Sequence, residues 1–110
     1  MFEALWSVEF VSSQGVYGAG VAIFETGRIF GGDAQYFYIG KTDLKGDIVH
    51  ADLEVTHYAG QPSSIFGLAS KFHLKLSGKV QAPVMDLHGH LVEDPSQKIH
   101  IRCTKRADLP

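Results

Sequence analysis

The sequence predicts an all-β domain, an eight-stranded antiparallel up-and-down β-barrel with one short helical turn. Three observations lead there. Apolar residues recur at every second position almost throughout, which is strand spacing and not helix spacing. Turn-forming groups interrupt that alternation at Gln14-Gly15, Thr26-Gly27, Gly32-Asp33 and Glu93-Asp94-Pro95-Ser96. The chain has 110 residues, 45% of them apolar, which suffices for one core and not for two.

The first strand is expected over Leu5 to Val11, with Trp6, Val8 and Phe10 on one side and Ser7 and Glu9 on the other. The second runs from Val16 to Glu25 and the third from Arg28 to Gly31. The fourth covers Gln35 to Lys41, and Asp43, Lys45 and Gly46 form the loop after it. The fifth, Asp47 to Tyr58, alternates most cleanly: Val49, Ala51, Leu53 and Val55 oppose His50, Asp52, Glu54 and Thr56. Ser63 can cap one helical turn reaching Gly67 or Leu68. Lys71 to Leu76 follows, with Phe72, Leu74 and Leu76 inward, then Val84 to Val92 and Lys98 to Lys105. The short links make successive strands antiparallel hairpins. An open sheet of that size would leave two bare edges, and closure removes them. Gly18, Gly20, Gly40 and Gly89 lie inside strands, where they permit the bending a tight barrel needs.

The net charge of −2, without a long basic run, argues against a nucleic-acid footprint. The single cysteine, Cys103, cannot form an internal disulfide and sits in an apolar alternation, as a buried thiol would. Met1 to Trp6 carries Glu3 and no basic segment before a long apolar run, so no signal peptide is expected. No apolar stretch approaches the roughly 18 residues of a membrane helix. The expected location is the cytoplasm.

Several residue groups invite a function. Tyr36-Phe37-Tyr38-Ile39 is apolar on both faces, and the second strand adds Tyr17, Val21 and Ile23. Something must cover the outer face of strands two to four: either the segment from Pro62 to Leu68 or a second copy of the chain. Trp6, Phe10, Leu53 and Phe72 are expected in the interior, around any cavity for an apolar ligand. His88 and His90 share a strand face, with His100 on the next strand, a spacing that suits a shared metal or simply hydrated imidazoles. No accompanying ligand motif supports the metal, so no cofactor is expected. His57 continues the inward register and is suited to capping the barrel end by a hydrogen bond. No nucleophile has an activating neighbour that the sequence reveals, Ser63-Ser64 lies in no nucleophile elbow, and no catalytic residue is assigned.

The order of local patterns resembles the GrlR family, negative regulators of type III secretion genes. The resemblance runs from Leu5 to about Lys105. It is carried by Trp6-Ser7-Val8-Glu9-Phe10, Gly18-Ala19-Gly20-Val21, Gly27 to Asp33, Tyr38-Ile39-Gly40 and Leu87-His88-Gly89-His90. It implies a lipocalin-like barrel, a homodimer, no enzyme activity and a protein partner, a helix-turn-helix transcriptional activator. In the family's founding member an exposed acidic run precedes the fifth strand. The matching place here reads Thr42-Asp43-Leu44-Lys45-Gly46-Asp47, so Asp43 and Asp47 keep the charge and Lys45 reverses it. A basic activator surface would be attracted less strongly by it. The function expected from all this is a non-enzymatic dimeric regulator that binds a protein; the alternatives are a carrier of a small apolar ligand and a metal enzyme centred on His88 and His90.

Overall fold

A computed structural model describes residues 2–12, 15–61 and 70–110. It contains eight strands: β1 (Ala4–Ser12), β2 (Gly15–Glu25), β3 (Arg28–Gly32), β4 (Tyr36–Lys45), β5 (Ile48–His57), β6 (Lys71–Gln81), β7 (Val84–Leu91) and β8 (Lys98–Asp108). Each pairs antiparallel with the next, and β8 returns to β1, so the sheet closes into a barrel. The predicted fold class is therefore the observed one. No helix occurs among the described residues, and none there is long and apolar enough to cross a membrane. The helical turn expected from Ser63 lies outside the described residues.

Alternation decides which side chains go inside. In β5, Val49, Ala51, Leu53 and Val55 are all buried, as are Phe72, Leu74 and Leu76 of β6. Trp6, Phe24, Leu74, Met85 and Leu87 are among the largest fully buried side chains. Burying Trp6 brings its indole N–H with it, and that group donates to the Phe2 carbonyl oxygen at 2.9 Å. The Phe2 ring closes over Phe24 with centroids 4.9 Å apart. No described buried side-chain nitrogen or oxygen lacks a hydrogen-bond partner, as a stable core requires.

Two strands outrun their sequence signal. β4 continues past Lys41 to Lys45, and β6 continues past Leu76 to Gln81. The added residues, Thr42-Asp43-Leu44-Lys45 and Ser77 to Gln81, are largely polar or Gly-containing. Their pairing is imposed by the partner strand: Thr42 lies opposite Ala51, Leu44 opposite Val49, and Val49 in turn opposite Gly78.

At one end of the barrel Asp33 gathers the chain. One carboxylate oxygen accepts the N–H groups of Gln35 and Tyr36 at 2.8 Å each, and the other accepts the Tyr38 hydroxyl. The Tyr58 hydroxyl donates to the Asp33 carbonyl oxygen. Asp33 is thus the backbone-bonding turn residue that its Gly-Gly-Asp setting predicts. Gly89 shows why glycine recurs in the wall: a Cβ there would collide with the Lys75 carbonyl oxygen on β6.

Candidate interaction surface

The wall built from β1 to β4 carries the most apolar exterior. Its geometry follows from the phase of β4. Tyr36 and Tyr38 point inward and are buried, whereas Phe37 and Ile39 point outward and are 37% and 59% exposed. The four-residue surface expected from Tyr36 to Ile39 is therefore half of that: the two tyrosines belong to the core. A run of four apolar residues leaves its phase open to either choice. The phase adopted gives Tyr38 a hydroxyl partner in Asp33, while burial and the nearby Asp33 carboxylate raise its pKa.

Cross-strand register assembles the rest. Leu5 lies opposite Ile23, Ile23 opposite Phe30, and Phe30 opposite Ile39, one continuous apolar row across four strands. The adjacent row brings Val21, 48% exposed, beside Gly32 and then Phe37. The Tyr58 ring packs near Phe37 at 6.1 Å. The rim is polar: the Arg28 guanidinium stacks over Phe30 at 5.4 Å and pairs with Glu25 at 2.9 Å. An apolar centre with a polar rim is the anatomy of a protein interface. Leu5 and Phe30 were not singled out from sequence, because a row running across strands has no signature along the chain.

The expected ligand cavity is different from its prediction. Phe10 and Leu53 line an apolar void of about 10 Å³ together with Val8, Phe24, Tyr38 and Cys103. Trp6 and Phe72 do not line it and instead fill core on either side. Such a void holds about one water at most, against the roughly 300–1,000 Å³ of small-molecule sites.

The predicted partner-binding loop is also rearranged. Asp43 and Lys45 stand on β4, not in a loop, and only Gly46 and Asp47 form the turn before β5. Lys45 lies 3.7 Å from Asp43, and Asp47 lies 3.5 Å from Lys79, so these charges are paired on open surface. They do not converge on a common point.

His88 and His100 meet face to face, with centroids 4.3 Å apart and planes inclined by 11°. Parallel rings direct their nitrogen lone pairs side by side, away from a common ion. His100 Nε2 is taken by Asp86 Oδ1 at 2.7 Å, and that hydrogen bond lowers the Asp86 pKa. No group of three or more potential metal ligands occurs among the described residues. His57 reaches the Gly60 carbonyl oxygen at 2.7 Å and stacks edge-on against Tyr36, the capping arrangement its register predicts. Cys103 is fully buried, and burial, then the negative charge of Asp86, pushes its thiol up to about 12.

One surface network had no sequence signal. His73 Nδ1 lies 2.6 Å from Glu93 Oε2, its Nε2 lies 3.3 Å from Glu54 Oε2, and its backbone N–H donates to Glu93 Oε1 at 2.9 Å. These residues come from β6, the β7–β8 loop and β5, and only the closed sheet brings them together. Against known proteins, no family model and no curated sequence gives a significant match to this chain.

Proposed function

We propose that the protein is a non-enzymatic regulator that acts as a homodimer and binds another protein, in the manner of the GrlR-like negative regulators its motifs resemble. The single observation that carries this reading is the apolar row Leu5–Ile23–Phe30–Ile39 on the outer wall, half-buried along Leu5, Ile23 and Phe30 and exposed at Ile39, with exposed Val21 and Phe37 beside it. A row of this kind can bury itself against its own image across a two-fold axis. A stable pair needs about 800 Å² from each partner. The void of about 10 Å³ among the described residues beneath the wall supports a binding role for the exterior over a carrier role for that space. The proposed client is a transcriptional activator, and the proposed compartment is the cytoplasm, which suits the free thiol of Cys103.

Size-exclusion chromatography with light scattering tests the dimer. The expected mass is twice the 12.0 kDa of one chain. Ile39→Asp combined with Val21→Asp is expected to give a monomer whose circular dichroism is unchanged, because both side chains leave the core untouched. A wild-type monomer at micromolar concentration overturns the reading.

A further inference from the structure

The net charge of −2 conceals an uneven distribution. Strands β6 to β8 hold seven of the ten Lys and Arg residues and four of the six histidines, but only two of the twelve Asp and Glu residues. Alternation puts the apolar residues of these strands inside and turns the cations outward. Leu74, Leu87 and Ile99 are buried, whereas Lys75, Lys98 and Arg102 are exposed.

Register concentrates them further. Lys75 lies opposite His90, and His90 opposite Lys98, so three basic side chains stand side by side across three strands. The row spans about 10 Å at ordinary strand spacing. Asp86, the acid on the outward face of β7, is already occupied by His100 at 2.7 Å and Arg102 at 3.6 Å. Lys98 makes no ion pair among the described residues, and its ammonium donates to the Pro95 carbonyl oxygen at 2.8 Å. Lys75 meets Asp52 only at 3.8 Å, with both side chains about two-thirds exposed. So loose a pair contributes little and can be exchanged for a better one. In a ring of eight strands β7 lies opposite β3. A dimer formed through the apolar row would leave both basic walls facing outward.

We infer that the outer wall of β6 to β8 is a docking surface for an acidic segment of a protein client. This rests on the regulator reading and supplies the chemistry of its partner. Charge complementarity carries the assignment: Lys75 and Lys98 flank His90 on the outer wall, Lys75 is held only loosely by Asp52, and Lys98 has no ion pair among the described residues. A peptide fits better than a nucleic acid. The outward positions of these strands offer no Phe, Tyr or Trp on which bases could stack. The rim carries Glu54, Glu93 and Asp94, which repel a continuous phosphate backbone but tolerate a short acidic segment.

The test uses the full chain and a fluorescent polyglutamate peptide, followed by anisotropy at low and at near-physiological salt. Binding is expected at low salt and is expected to weaken as salt rises. Lys75→Glu with Lys98→Glu should weaken it by about tenfold or more, equivalent to about 1.4 kcal/mol. Lys41→Glu with Lys45→Glu, the same charge change on β4, should leave it within about twofold. Equal losses in the two double variants, no binding of the peptide by the wild type, or equally tight binding of a single-stranded oligonucleotide would each overturn the inference. Light scattering on the same samples keeps the two readings apart. A dimer that ignores the peptide refutes only the basic wall, whereas a monomer refutes the regulator reading itself.

Discussion

At the scale of single residues, His73 shows how closure creates chemistry that no local motif contains. Its imidazole lies between Glu93 and Glu54, and the hydrogen bond to Glu93 is the main cause raising its pKa above the ordinary 6.5. Glu93 is held below its ordinary value, first by the backbone N–H of His73 and then by the ring. The signs are opposite. The His73 contribution to stability is complete below pH 6.5 and is lost as pH rises through the raised folded-state value. The Glu93 contribution is present above the ordinary carboxylate value and is lost as pH falls through the lowered one. Urea unfolding across pH should therefore show a stability advantage of wild type over His73→Gln that peaks in mildly acidic solution. It should narrow above neutrality. Both groups are largely hydrated, so the advantage is small, and a pH-independent difference between the two proteins would refute the pairing. An NMR titration of the imidazole gives the same test directly.

At the scale of elements, two glycines in strand interiors make a contrast. A Cβ on Gly89 would strike the Lys75 carbonyl oxygen, while a Cβ on Gly18 meets nothing within 4 Å. Gly89→Ala is expected to cost about 1–3 kcal/mol, because backbone must move to admit the methyl group. Gly18→Ala is expected to be near neutral, or slightly stabilising through the unfolded chain. Equal midpoints in thermal or urea unfolding would contradict this. The same scale shows what the sequence makes legible. From Val49 to Thr56 in β5 one face is wholly apolar and the other wholly polar, so period and phase are both readable along the chain. In Tyr36 to Ile39 the period is there but the phase is hidden, and the partner Asp33 decides it. The ends of β4 and β6 are hidden for a related reason: Thr42 to Lys45 and Ser77 to Gln81 extend because a neighbour pairs with them, not because their own residues demand it. Binding surfaces are less legible still. The row Leu5–Ile23–Phe30–Ile39 and the row Lys75–His90–Lys98 both run at right angles to the chain, and register alone composes them.

At the scale of the whole molecule, the barrel has two contrasting walls, one apolar and one basic, on opposite sides of a shared core. They should respond to salt in opposite ways. Self-association through β1 to β4 buries apolar surface, so raising salt should leave the dimer intact or tighten it. Capture of an acidic segment by β6 to β8 is electrostatic and should fade over the same range. Light scattering and anisotropy on one salt series would show the two trends diverging, and parallel trends would mean that one surface serves both purposes. The closing seam has a further consequence for how the barrel is assembled. Ser7 on β1 lies opposite Thr104 on β8, so this pairing joins positions from nearly opposite ends of the sequence. Every other neighbouring pair can form as a local hairpin, but this one must bring together the most distant segments and meets the largest loop-closure cost. During synthesis, β1 emerges early and carries a bare hydrogen-bonding edge until β8 arrives. The nascent chain therefore stays exposed to mispairing with its neighbours until β8 is complete.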